Sequence, residues 1–220
     1  MRILESSEAN EVVKSAAPLN IGIIMDGNRR WAAARQIPVD SAHLGVSVAV
    51  ASCVRAAAQA NVACLAFFAL SNRNLLREPT EVASLSALHS WLWSDQLIAT
   101  LYEVNADVSI VGLPHALLEG ELASTRNWIR TSQQGMRVVF AVNYSSRQGH
   151  EALYPPVQAS VPSIDLLVRT GGEQRLSDFL LLESAYAELV FTDTLWPDFT
   201  GLHLLSAVRE YMNRSRRFGA

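Results

Sequence analysis

Little in this 220-residue sequence marks a special compartment or a common ligand motif. Cysteine is scarce: Cys53 and Cys64 sit inside apolar stretches, with no ligand spacing around them. A disulfide scaffold and a zinc module are therefore excluded, and both thiols read as buried groups in a reducing compartment. No apolar run reaches the ~18 residues that a membrane span needs. Charge is also sparse, at 18% of residues against roughly 25% in ordinary domains. The net charge of -3 gives no excess that would draw the chain to nucleic acid or an anionic membrane. Neither G-x-x-x-x-G-K nor G-x-G-x-x-G occurs, so the common nucleotide-binding loops are missing. Internal repeats and low-complexity linkers are absent as well. Glu5, Glu8 and Glu11 interrupt any basic-then-apolar signal pattern, so a cytoplasmic location is expected.

Apolar residues make up half the chain, enough for a sizeable core in one domain. Residues 1–17 are small and polar and suggest a loose arm or a short helix, with the folded domain over 18–220. Six short runs read as strands: Ile21–Met25, Cys64–Leu70, Val108–Val111, Val138–Val142, Leu166–Arg169 and Leu189–Phe191. They show little polar alternation, as strands covered on both faces do. The segments His43–Gln59, Thr80–Val104, Leu117–Arg130 and Leu202–Arg216 have helical character, and Pro79 suits a helix start. This alternation predicts an α/β fold: a single domain with a six-stranded, mostly parallel sheet flanked by helices. Ligands of such sheets bind beyond the C-terminal strand ends.

The first polar turn, Asp26-Gly27-Asn28-Arg29-Arg30-Trp31, stands at such an end. Gly27 lets backbone approach a ligand closely. A carboxylate beside a glycine and two arginines suits Mg²⁺ carrying a diphosphate. The same residues also suit a strand-ending turn with Asp26 as helix N-cap. After the second run, Ser71-Asn72-Arg73-Asn74 leads through Arg77 towards Pro79; it reads as a phosphate-gripping loop or a plain solvated one. The strongest block runs from Arg169 through Gly171-Gly172 to Arg175 and Ser177. Its expected form is a tight glycine turn with free backbone N–H groups and a helix starting near Arg175. Arginine forks and a helix N-terminus both favour phosphate oxygens. Glu188 precedes an apolar strand, where a carboxylate is costly unless paired or metal-bound.

The stretch from Met25 through Trp31 resembles the signature of the cis-prenyltransferases, the undecaprenyl diphosphate synthase family. Three further blocks follow in order, around Ser71–Arg77, Asn143–Arg147 and Asp165–Phe199, so the likeness covers roughly residues 18–220. The resemblance implies a Mg²⁺-dependent enzyme that condenses isopentenyl diphosphate with an allylic diphosphate. It implies that Asp26 holds Mg²⁺, with Glu188 as a further metal ligand that often involves a partner subunit. Gly27, Asn28, Arg29, Arg30, Trp31 and Arg77 fall to the allylic substrate and the loop above it. Arg169, Arg175 and Ser177 fall to isopentenyl diphosphate. His43, Ser71 and Asn74 join Asp26 and Asn28 in the catalytic set. Asn28, His43, Ser71 and the released diphosphate are all candidates to take up the proton. A homodimer with small isoprenoid diphosphates as its ligands is implied, without nucleic acid, and with peripheral membrane contact only if the product is long.

Several positions depart from the family pattern. Arg73 replaces a glutamate, Leu75 a tryptophan and Glu78 a proline. Val39 stands for an arginine, Asn20 for a histidine, Ser145 and Ser146 for two glycines, and Asp178 for an asparagine. These changes keep two alternatives open: an altered outcome (branched coupling, cyclisation or another acceptor), and a non-catalytic partner subunit. Product length is expected to be short. Only 17 residues separate Arg147 from Asp165, and Pro155-Pro156 among them is a poor place to continue a helix. Leu88, Trp91 and Ile98 share one helical face, with Leu85, Leu92 and Trp93 on neighbouring stripes. Trp91 or Trp93 is the expected plug of a prenyl tunnel. Trp196 and Phe199 read as packing residues.

Overall fold

The structure, a computed structural model, describes residues 1–15, 18–76, 94–113, 135–147 and 161–215. Its strands are β1 (Leu19–Ile24), β2 (Val62–Phe68), β3 (Asp107–Val111), β4 (Arg137–Ala141), β5 (Leu166–Arg169) and β6 (Glu188–Phe191). They form one sheet in the order β3-β4-β2-β1-β5-β6, with every pairing parallel. All six expected runs are strands, displaced by no more than two residues. Among the described residues the helices are α1 (Ser6–Ser15), α2 (Asn28–Ala34), α3 (Ala42–Gln59), α4 (Asp95–Glu103) and α5 (Gly201–Met212).

Local signals set the helix ends. Asn61 takes a left-handed φ of 55° and turns the chain out of α3 into β2. Ser94 caps α4 by accepting from the Leu97 N–H at 3.3 Å, and Thr200 with His203 forms a capping box on α5. Of the expected Thr80–Val104 helix, residues 94–104 are described, and Asp95–Glu103 of them are helical. The Leu117–Arg130 helix, Trp91, Trp93 and the Pro155-Pro156 connection lie outside them.

The sheet separates two apolar layers. On one face Ile21, Ile23, Leu65, Phe67, Val138, Phe140, Leu166 and Val168 pack with residues of α1, α3, α4 and α5. On the other, Ile24, Ala66, Val139 and Leu167 meet Tyr144, Ile164, Phe179 and Leu180. Gly22 faces Phe179, whose ring would stand 3.3 Å from an added Cβ. Residues 1–15 are held to the domain rather than loose: Leu4, Ala9 and Val12 are buried, and Glu8 pairs with Arg209 of α5 at 2.7 Å. Both cysteines are buried and free, and burial pushes the Cys64 thiol up to about 12. No helix among the described residues is long and apolar enough to cross a membrane.

Candidate active site

From β1 the chain moves to β2 on one side, goes on to β3 and β4, and returns to β5 on the other side. The strand order therefore reverses between β1 and β5, where open α/β sheets bind ligands. Asp26 follows β1 and Arg169 ends β5, so the crevice has a carboxylate on one lip and a guanidinium on the other. Arg169 Nη2 donates to Asp26 Oδ2 at 2.8 Å, and Arg30 Nη2 stands 3.3 Å from Oδ1.

Asp26 is fixed from three directions. Its N–H donates to Thr170 Oγ1 at 2.9 Å, and that hydroxyl donates back to the Asp26 carbonyl at 2.7 Å. The Trp196 N–H donates to the same carbonyl at 3.0 Å. Trp196 is fully buried, stacks on Phe199 at 5.6 Å and meets Phe67 edge-on at 6.1 Å. A core aromatic of this kind is worth about 3–5 kcal/mol, and it anchors the site from below. Trp196 and Phe199 are thus packing residues, as expected. Burial pushes the Asp26 carboxyl upward, but the Arg169 hydrogen bond and charge, with Arg30 and the Gly27 N–H, outweigh it and hold the group below the ordinary carboxylate range.

Asp26 is not the helix cap. Gly27 caps α2 with φ 108°, and a Cβ there would stand 2.8 Å from Leu195 Cδ2. Asn28 donates from Nδ2 to the Met25 carbonyl at 3.1 Å, and its Oδ1 is buried without a partner among the described residues. Arg30 also donates to the Gly171 carbonyl at 2.6 Å, which ties α2 to the loop after β5. Arg29 is exposed on the same turn. Trp31 is turned away from this lip: its Nε1 donates to Asp198 at 2.8 Å and Arg35 lies over its ring at 4.1 Å. That bracket packs α2 against the Trp196–Asp198 turn.

The loop after β5 differs from expectation in two ways. The Gly171 and Gly172 N–H groups are not free, because they donate to the Thr194 and Thr192 carbonyls at 2.9 Å each. No helix starts at Arg175 or Ser177. Ser177, Asp178 and Leu180 have φ of 52°, 67° and 47°, left-handed values that a right-handed helix cannot contain. The donors left on this loop are therefore side chains, not backbone N–H groups of a glycine turn or helix end. Arg169, 4% exposed, donates from Nη1 to Ser177 Oγ at 2.8 Å and to the Arg175 carbonyl. Its Nε has no partner among the described residues. Arg175 is exposed and pairs with Glu173.

Ser71 and Asn74 close a small turn beyond β2, the other neighbour of β1. Ser71 Oγ donates to Asn74 Oδ1 at 2.6 Å. Arg73 is exposed on the same turn. His43 lies in the first turn of α3, and its side chain is outside the described set, as is Arg77. Glu188 is not brought to Asp26. It opens β6 opposite Leu166, three positions before Arg169 and so about 10 Å away along the strands. There its Oε2 pairs with Arg214 at 2.8 Å, and Arg214 also meets Glu210 at 2.5 Å. Asn20 is at that end too, donating to the Ser163 carbonyl at 3.0 Å. A cavity of about 630 Å³ lined by Asn20, Cys64, Asp107 and Arg137 opens at the N-terminal strand ends, so it is distinct from the Asp26 crevice. Sequence reasoning missed Thr170; a polar residue directly after a buried strand was its only signal.

A prenyltransferase family model, that of the undecaprenyl diphosphate synthase family, matches residues 24–152 and 150–219. The chain belongs to this family. It is an enzyme of the prenyltransferase class. An isoprenyl transferase of Zymomonas mobilis is 36% identical over 243 residues, covering 96% of this chain and 97% of the relative. A ditrans,polycis-undecaprenyl-diphosphate synthase of Lactiplantibacillus plantarum, specific for (2E,6E)-farnesyl diphosphate, is 33% identical over 231 residues, covering 92% and 89%. Among solved structures, lavandulyl diphosphate synthase from Lavandula x intermedia, in complex with dimethylallyl diphosphate, has a TM-score of 0.78 at 29% identity. That match covers 96% of this chain and all of the other.

Within this prenyltransferase the Asp26 carboxylate is a hard oxygen donor at the crevice. No group of three or more His, Cys, Asp or Glu side chains that could hold a metal occurs among the described residues. The donor set still fits Mg²⁺, which keeps several waters and is commonly held by one or two carboxylates with substrate phosphates.

Proposed function

We propose that this chain condenses isopentenyl diphosphate with a short allylic diphosphate, forming a cis double bond and a product of roughly two to four isoprene units, as a small apolar pocket would allow. The observation that carries this reading is the Asp26–Arg169 pair at the strand-order reversal, with Arg30 and Ser177 around it. One half-site, around Asp26, Asn28 and Arg30, takes the allylic diphosphate. The other, around Arg169, Arg175 and Ser177, takes isopentenyl diphosphate. Asp26 would hold Mg²⁺, which supplies a counter-charge for a departing diphosphate. The allylic C–O bond breaks, and its electron pair leaves with the diphosphate. The isopentenyl double bond attacks the allylic carbon, and a proton is lost from the adduct. Arg30 stabilises the charge that builds on the departing allylic diphosphate, and Arg169 holds the isopentenyl diphosphate, whose charge does not change. Arg169 Nε has no partner among the described residues and can donate to the isopentenyl diphosphate.

Glu188 can join a metal site in this reading only if a second copy supplies Asp26, so the working form is a homodimer, in the cytoplasm. The short product rests on the 17-residue Arg147–Asp165 connection and on the one-unit allylic diphosphate held by the lavandulyl diphosphate synthase neighbour. Branched coupling is a second reading, motivated by Val39, Arg73 and Leu75. The test is incubation with Mg²⁺, isopentenyl diphosphate and allylic diphosphates of several lengths, with products resolved by mass spectrometry and NMR. A linear short cis product is expected. A branched skeleton would favour the second reading, and an undecaprenyl-length product would refute the short one.

A further inference from the structure

Three departures from the family pattern, Ser145, Ser146 and Asp178, lie in two separate blocks of the sequence, and the fold brings them into contact. Ser145 Oγ donates to Asp178 Oδ2 at 2.5 Å, and the Ser146 N–H donates to the Asp178 carbonyl at 3.1 Å. Ser146 Oγ accepts from the Leu181 N–H at 2.8 Å and lies 3.3 Å from the Tyr144 hydroxyl. Arg147 Nε stands 3.6 Å from Asp178 Oδ1. Glycines at 145 and 146 would keep the backbone bond and supply neither hydroxyl.

Burial of Phe179 and Leu180 fixes the middle of the clasped segment and leaves Ser177 and Asp178 to polar contacts. Ser177, Asp178 and Leu180 hold left-handed backbone without glycine, a conformation that persists only where the surroundings impose it. Phe179 anchors the middle, fully buried and stacked on Phe68 at 4.7 Å. Immediately before it, Ser177 Oγ and the Arg175 carbonyl are the acceptors that hold Arg169 Nη1. Ser145 and Ser146, at 6% and 7% exposure, lie behind this surface.

We propose that Ser145 and Ser146 are positioning residues of the isopentenyl diphosphate half-site. Their hydroxyls clasp the left-handed stretch through Asp178 and Leu181, and so set where Ser177, Arg175 and the Arg169 fork stand. The inference rests on the assignment of that half-site above.

A double-mutant cycle with Ser145→Ala and Asp178→Gly tests it. Ser145→Ala should raise the KM for isopentenyl diphosphate roughly 3- to 10-fold, the size of one ordinary hydrogen bond, because Ser145 acts through Asp178 and not on the substrate, while kcat and the allylic KM stay near wild type. Glycine tolerates left-handed φ, so Asp178→Gly removes the acceptor without new backbone strain. Loss of the charge acts equally in both backgrounds and cancels in the cycle. The remaining non-additivity in the isopentenyl KM should be about threefold or more. Should Ser145→Ala unfold, Ser146→Ala cuts the link to Leu181, and isopentenyl diphosphate binding is read by calorimetry. Additive effects, or kcat and both KM values moving together, would overturn the clasp and leave the half-site assignment standing. A folded wild-type chain that binds no isopentenyl diphosphate would overturn the half-site reading and the clasp with it.

Discussion

Asp26 is expected to carry both activity and stability, and two substitutions separate these roles. Asp26→Ala removes the carboxylate from Arg169, a guanidinium that is 4% exposed and already lacks a partner at Nε. Losing one member of a fully buried pair costs about 3–5 kcal/mol. Asp26 keeps 30% of its side chain in solvent, so the cost here is reduced to about 2–3 kcal/mol, the worth of a hydrogen bond to a charged group. In a domain of this size, that lowers Tm by roughly 5–10 °C. Asp26→Asn keeps an oxygen acceptor for Arg169 and should cost only about 1 kcal/mol. Both variants should lower turnover by about 100-fold or more, because both remove charge from the diphosphate assembly. The pH dependence follows from the lowered carboxyl. Its contribution is fully present above the ordinary carboxylate value and is lost as pH falls through the lower folded-state value. Asp26→Asn should remove that part of the acid sensitivity. Thermal unfolding by circular dichroism and a diphosphate-release assay read the two effects. An Asp26→Ala chain as stable as wild type would refute the pair's structural role, and near-normal turnover in Asp26→Asn would refute its catalytic one.

Arg175→Ala should raise the KM for isopentenyl diphosphate roughly 10- to 100-fold with little change in Tm, whereas Arg169→Ala should do so and also destabilise the fold; a change confined to the allylic KM would refute the division into half-sites. Docking of α1 should weaken in acid. Hydrogen bonds from Arg209 first, then from the Glu5 N–H, hold Glu8 down to about 2, so the contact is intact above the usual carboxylate range and lost as pH falls towards that value. Amide protection over residues 6–15, taken against the intrinsic exchange rate at each pH, reads this, and Glu8→Gln should make that protection independent of pH across that window. Trp91→Ala or Trp93→Ala should lengthen the product if either ring is the tunnel plug; unchanged chain length in both, by mass spectrometry, would refute that reading.

The strands were legible because each is an apolar run covered on two faces, a pattern carried by neighbouring residues alone. Asp26 and Arg169 were legible for a related reason: they are charges placed directly at strand ends. What escaped the sequence depends on pairing across long separations. The Gly171 and Gly172 N–H groups looked free because their acceptors, the carbonyls of Thr194 and Thr192, lie about four strand lengths downstream. A helix looked natural after Gly172, since nothing local announces left-handed φ at Ser177, Asp178 and Leu180. Glu188 read as paired or metal-bound; its partner within the chain is Arg214, at the sheet end opposite Asp26. Trp31 was legible through its place in the signature, but its bond to Asp198, far along the chain, was not.

The most direct test of the central claim is turnover by the purified chain alone, supplied with Mg²⁺, isopentenyl diphosphate and dimethylallyl or geranyl diphosphate. The Asp26–Arg169 site predicts release of one diphosphate for every carbon–carbon bond formed, with loss of that activity in Asp26→Asn. A folded chain that binds neither substrate and releases no diphosphate, but stimulates an added family member, would contradict the account and assign it the role of a non-catalytic subunit.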